Sequence, residues 1–139
     1  MKRFYLDTCI WIDLIEGRVG TRGEAFGEEA LKLVERIRKG KHRIVLSSEV
    51  YRELRLYFAD VPAVLVSFIE LCEFIIIPSS QKAEASLIAD QRNVPFSDAL
   101  HAIIARDSSL ILVTRDKHFR KLIDITPYFF PWHADAAHA

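Results

Sequence analysis

Short apolar runs alternate along this chain with stretches whose apolar residues recur at helical spacing. Residues 4–6 form an apolar, aromatic-containing run that ends on Asp7 and reads as a first strand. Over residues 8–16, Ile10, Trp11, Leu14 and Ile15 follow the i, i+1, i+4, i+5 pattern of one helix face, with Trp11 in the core and Gly17 as the stop. Gly17, Gly20, Gly23 and Gly27 then mark a surface loop; no G-K-[ST] follows, so a phosphate-cradling reading fails. The pattern is helical again over about 24–39, with Gly40 where a C′ glycine belongs. "RIVLS" predicts a second strand, followed by a helix capped by Ser47 or Ser48 that carries Glu49, Val50, Glu53, Leu54 and Tyr57. Asp60 and Pro62 restart a helix that runs to about Cys72. "EFIIIP" is a third strand, 81–91 a helix, and "NVPFSDALHAIIARDSS" another, capped by Ser97 and buried along Leu100, Ile103 and Ile104. "LILVT" is a fourth strand, and "IDI" a short fifth.

Strands alternating with helices imply an α/β fold, a mainly parallel sheet of four to five strands covered on both faces. Crossovers in such a sheet are right-handed, and ligands bind beyond the C-terminal strand ends at a topological switch point. Asp7 follows the first strand and Asp116 follows the fourth, so both acids fall on that edge. With 139 residues and no linker or internal repeat, the chain reads as a single domain, with a core over about 3–125 and an aromatic tail over 126–139.

Composition narrows the partners. Lys+Arg and Asp+Glu both number 19, which argues against nucleic-acid binding by bulk positive charge but leaves room for a basic rim around an acidic centre. Cys9 and Cys72 stand alone, without zinc-type spacing, and two free thiols fit a reducing, cytoplasmic setting. Asp7 interrupts the first apolar run too early for a signal peptide, and no apolar stretch reaches the ~18 residues of a membrane helix.

Taken singly, most of the acids have ordinary explanations. Asp98 opens a helix, where a carboxylate complements the helix dipole. Glu53 suits a solvated helix face and Asp116 a turn after a strand, while Asp13 and Asp107 read as surface residues. Asp7 is the exception, because an apolar strand leads straight into it. If four such carboxylates met, each pair would cost about 4 kcal/mol at ~4 Å and an effective dielectric of ~20, so a compensating cation would be required. Oxygen-only donors suit Mg²⁺ or Mn²⁺, and the natural chemistry is attack of an activated water on a phosphodiester. Spacing leaves open whether the four acids meet.

"FYLDTCIWIDLIEG", "IVLSSEVYREL", "VPFSDALHAIIA" and "LILVTRDKHFRKL" resemble, in order and separation, the motifs of PIN-domain ribonucleases, most closely the VapC-type toxins of toxin–antitoxin pairs. The resemblance spans about residues 4–122. It implies a three-layer α/β/α fold, Mg²⁺- or Mn²⁺-dependent endoribonuclease activity, inhibition by a small antitoxin protein, and a homodimer. It carries the four acids onto Asp7, Glu53, Asp98 and Asp116, with Asp7, Asp98 and Asp116 as metal ligands and Glu53 orienting a metal water. Thr8 and Thr114 match the small residues beside the first and last acids. Glu49, one helical turn before Glu53, is the alternative second acid.

An RNA substrate would need cations around the acids. Arg52 and Arg55 flank Glu53, and Arg115, Lys117, His118, Arg120 and Lys121 surround Asp116; as a group they suit phosphate contacts, although each alone suits an ordinary solvated face. His101 reads as a packed, hydrogen-bonded histidine. Tyr51, Tyr57 and Trp132 have packing as their default, with base stacking or a partner chain as the alternative. Three rival functions fit the residues less well. A receiver-like phosphoacceptor would place an acid pair at the first strand end, where Thr8 and Cys9 stand here. A non-catalytic PIN-like binding module often lacks an acid of the set. A flap endonuclease carries additional helices.

Overall fold

The computed structural model describes residues 1–134; the end of the expected tail, 135–139, lies outside the described residues. Five strands form one sheet: β1 (Arg3–Leu6), β2 (Arg43–Ser47), β3 (Cys72–Ile75), β4 (Ile111–Val113) and β5 (Tyr128–Phe129). Their order is β3-β2-β1-β4-β5, and every pairing is parallel. The inner strands are continuous apolar runs because both of their faces are covered; Phe4, Tyr5, Leu6, Ile44, Val45, Leu112 and Val113 are all buried.

Helices α1 (Thr8–Glu16) and α2 (Phe26–Lys39) join β1 to β2. Helices α3 (Ser48–Leu54) and α4 (Val61–Leu65), with a 3₁₀ turn over Val66–Leu71, join β2 to β3. Helices α5 (Ser79–Arg92) and α6 (Phe96–Asp107) cross back over the sheet from β3 to β4. Right-handed crossovers in these opposite directions put α1–α4 on one face and α5 and α6 on the other, which is the three-layer α/β/α architecture expected from the sequence. The reversal occurs between β1 and β4, whose C-terminal ends therefore border the crevice of the switch point. Register pairs Leu6 with Val113, and Asp7 N–H donates to Val113 O at 2.9 Å, so the residues just past the two strands lie side by side.

Glycine fixes how α2 meets α1. Gly17 caps α1 in the left-handed conformation, at φ 64°. A Cβ on Gly27 would lie 2.5 Å from Gly17 Cα and 2.7 Å from Asp13 O, so the start of α2 rests directly on the end of α1.

Four local expectations are corrected. The helix after β2 ends at Leu54, leaving Tyr57 in the following turn. The helix expected from Asp60 to Cys72 is the short α4 and then the 3₁₀ turn. Ser97 does not cap α6, whose N-cap is Pro95; its hydroxyl instead donates to Glu49 Oε2 at 2.7 Å. "IDI" is a turn, and the fifth strand is Tyr128–Phe129 in the expected tail, between Pro127 and Pro131. A two-residue strand shows no alternation to read; it exists because β4 offers an unpaired edge, and Thr114 N–H donates to Phe129 O at 3.0 Å. Among the described residues no helix is long and apolar enough to cross a membrane, and both cysteines are free.

Candidate metal centre

Asp7 stands where β1 becomes α1. As the N-cap of α1 its Oδ1 accepts from Thr8 N–H at 2.7 Å, and its Oδ2 accepts from Thr114 Oγ1 at 2.8 Å and Cys9 Sγ at 3.3 Å. Thr114, fully buried one residue past β4, also accepts from Asp116 N–H at 3.0 Å. One hydroxyl thus ties together the acids at the two strand ends. Asp116 in turn caps a 3₁₀ turn over Lys117–Leu122, accepting from His118 N–H at 2.9 Å, and Phe119 and Leu122 anchor that turn in the core.

Glu53 reaches the same place from α3. Its Oε1 accepts from Thr8 Oγ1 at 2.8 Å and lies 2.6 Å from His101 Nε2. Asp98 comes from the first turn of α6, on the opposite face of the sheet. Asp7, Glu53, Asp98 and Asp116, with Thr8, Cys9, Ile12, Arg18 and Tyr57, line one cleft of about 180 Å³. Glu49 points elsewhere: Arg52 donates to it twice at 2.8 Å and Ser97 once at 2.7 Å, which occupies its carboxylate. Of the two glutamates on α3, the one in the cleft is Glu53.

Electrostatics marks the cleft as short of positive charge. Burial, followed by the nearby charges of Asp116 and Asp7, pushes the Asp98 carboxyl up to about 7. Its Oδ2 is buried and has no hydrogen-bond partner. Burial and Asp7 likewise push the Cys9 thiol well above its ordinary range, so it stays protonated and serves as a donor. Burial alone would raise Glu53, but the His101 hydrogen bond and charge and the Thr8 hydroxyl outweigh it and hold Glu53 below the usual carboxylate range. Burial alone would lower His101, but Glu53 and Asp7 hold it above its ordinary value. The imidazole is wholly enclosed, with Nδ1 2.6 Å from Tyr5 Oη, and Tyr5 Oη lies 2.7 Å from Ser47 Oγ, the cap of α3. Glu53 is therefore braced through the sheet by a line of buried polar groups. An orphaned buried carboxylate oxygen among converging acids fits a hard divalent cation.

The expected basic rim is placed differently. Arg115 puts Nε and Nη2 on Asp13 at 2.6 and 2.9 Å, and its guanidinium lies 4.0 Å above the Phe26 ring. Asp13 is 1% exposed, which corrects its reading as a surface residue; the pair pins the segment before Asp116 to α1. Arg52 is engaged by Glu49, whereas Arg55 and Lys117 are exposed. The arginine that lines the cleft is Arg18, in the glycine loop, where no periodicity marks it. His101, His118 and Cys9 also belong to this neighbourhood; their sequence signal is adjacency to the acids, in "SDALHA", "RDKH" and "LDTC".

A family model for the PIN domain matches residues 4–124. No curated protein sequence gives a significant match. Among solved structures, a toxin–antitoxin complex from Klebsiella pneumoniae aligns with a TM-score of 0.62 at 20% identity, covering 92% of this chain and 97% of that one. VapBC2 from Rickettsia felis, bound to a DNA fragment from their promoter, gives 0.60 at 19% identity, covering 92% and 96%. FitAcB from Neisseria gonorrhoeae gives 0.60 at 18% identity, covering 94% and 99%. At these identities the structural likeness speaks to fold.

Proposed function

The chain belongs to the PIN-domain family, and from that membership we propose that it is a divalent-metal-dependent endoribonuclease, the toxin of a VapBC-type toxin–antitoxin pair. The observation that carries the nuclease reading is the convergence of Asp7, Glu53, Asp98 and Asp116 on one cleft at the β1/β4 switch point. Asp7, Asp98 and Asp116 would hold Mg²⁺ or Mn²⁺. When bound, the ion would supply a water of lowered pKa and a counter-charge for the phosphate.

The chain's own residues do the positioning. Thr114 and the Thr8 N–H fix both oxygens of Asp7. Thr8 and His101 both act on Glu53 Oε1, which leaves Oε2 to orient the attacking water. Arg18 lines the cleft, and Arg55 and Lys117 are exposed cations on the segments that bear Glu53 and Asp116; these would hold RNA phosphates on either side of the cut.

A partner protein is supported by the solved toxin–antitoxin assemblies of the same fold. It is also supported by exposed Val66, Ile69 and Phe74 around an apolar groove of about 380 Å³ between α4 and β3. A homodimer and a cytoplasmic setting complete the reading. The test is cleavage of end-labelled single-stranded RNA with Mg²⁺ or Mn²⁺. Wild type is expected to cut, leaving 5′-phosphate and 3′-hydroxyl ends. Asp7→Asn is expected to keep its circular dichroism spectrum and lose cleavage; a variant that cuts undiminished overturns the assignment.

A further inference from the structure

The donors expected at the ion are all oxygens, yet the cleft edge also presents a nitrogen. His118 Nδ1 lies 3.1 Å from Asp116 Oδ1 and 3.6 Å from Asp98 Oδ2. One ligand atom from each of Asp98, Asp116 and His118 lies within 4.8 Å of the other two. Around an octahedral ion with ligand distances of ~2.1 Å, adjacent donors sit about 3 Å apart and opposite ones about 4 Å, and both separations from His118 Nδ1 fall in that range. The local fold explains the placement. Asp116 caps the turn over Lys117–Leu122 and His118 is the second residue of that turn, so one backbone bend aims both side chains at one point.

The hydrogen bonding of Asp98 points into the same space. Asp98 is 8% exposed, and its Oδ2, the atom that faces His118, is buried without a hydrogen-bond donor. A lone buried carboxylate oxygen is unfavourable unless a proton or a cation satisfies it. The other nearby imidazole cannot serve, because His101 is engaged at Nε2 by Glu53 and at Nδ1 by Tyr5.

We propose that His118 is a ligand of the bound ion, facing Asp98 and Asp116, so that the centre is a mixed nitrogen–oxygen site that selects Mn²⁺ over Mg²⁺. The inference rests on the metal-dependent reading above and specifies its ion. An imidazole ligand disfavours Mg²⁺, which binds through oxygens and retained waters, and borderline ions accept it more readily. The imidazole would bind as its neutral tautomer with the hydrogen on Nε2, which leaves the Nδ1 lone pair for the ion.

The test loads the whole protein with Mn²⁺, without RNA, and reads electron spin-echo envelope modulation. Wild type is expected to show coupling to a directly bound ¹⁴N, retained in His101→Gln and absent from His118→Gln. Calorimetry is expected to show His118→Gln losing about tenfold or more in Mn²⁺ affinity, with Mg²⁺ affinity nearly unchanged. Mn²⁺ that binds wild type without ¹⁴N coupling overturns the His118 assignment and leaves the carboxylate centre standing. If neither ion binds, the metal-dependent reading falls and the inference falls with it. His118 is largely exposed, so its replacement is expected to leave folding intact, which circular dichroism checks.

Discussion

His101 Nε2 lies 2.6 Å from Glu53 Oε1 in a fully enclosed position, joining a helix on one face of the sheet to an acid from the other. With the imidazole held above its ordinary value and the carboxyl below, each partner favours the charged form of the other, and Tyr5 and Ser47 anchor the pair from behind. This makes His101 a positioning residue for Glu53. His101→Ala is expected to lower kcat on RNA about 10- to 100-fold with little change in KM, since a misplaced group costs rate more than binding. His101→Gln, which keeps one donor, is expected to recover part of that loss. Steady-state kinetics on both variants checks this; a change confined to KM would contradict it.

Asp98 links stability to pH. Its folded value of about 7 stands above the usual 3.8, so the folded protein holds this proton more tightly than the unfolded chain does. That contribution favours folding at low pH and fades as pH rises from about 4 to about 7. Without metal, Asp98→Asn is therefore expected to melt higher than wild type near pH ~8, with a smaller difference near pH ~5. Mn²⁺ is expected to raise the wild-type melting temperature and to do little for the variant. Thermal unfolding at both pH values, with and without the ion, tests both statements.

The Arg115–Asp13 pair is a structural strut. Removing one partner leaves the other charge without its mate, and Asp13→Ala or Arg115→Ala is expected to destabilise by about 3 kcal/mol. Asp13→Leu combined with Arg115→Met is expected to recover most of that. Urea unfolding of the three variants measures the loss and the recovery. A double variant no more stable than the single ones would show that the loss does not come from the unpaired charge.

Gly27 is set by space. A methyl group added there would approach Gly17 Cα to 2.5 Å, which leaves no room, and the atom it meets belongs to backbone. Gly27→Ala is expected to cost about 1–3 kcal/mol, and more if α2 lifts from α1. A melting temperature equal to wild type would show that the helices slide apart freely.

Much of this protein is legible in its residues alone. The alternation of apolar runs and helical periods determines an α/β sheet, because strands buried on both faces must be continuously apolar. The ends of those runs determine that Asp7 and Asp116 occupy the functional edge. What the residues leave undecided is everything set by contacts between distant segments. Glu49 and Glu53 share a helix face, and only packing against Arg52 and Ser97, or against Thr8 and His101, separates them. Asp13 looks like a surface acid until Arg115, far along the chain, crosses to meet it. The fifth strand exists because β4 had an edge to fill, and His118 stands beside Asp98 because a 3₁₀ turn and a helix start happen to converge. Periodicity is a property of neighbours along the chain. The charge of a cleft depends on which atoms the tertiary fold brings within a few ångströms, and one sequence does not state those distances.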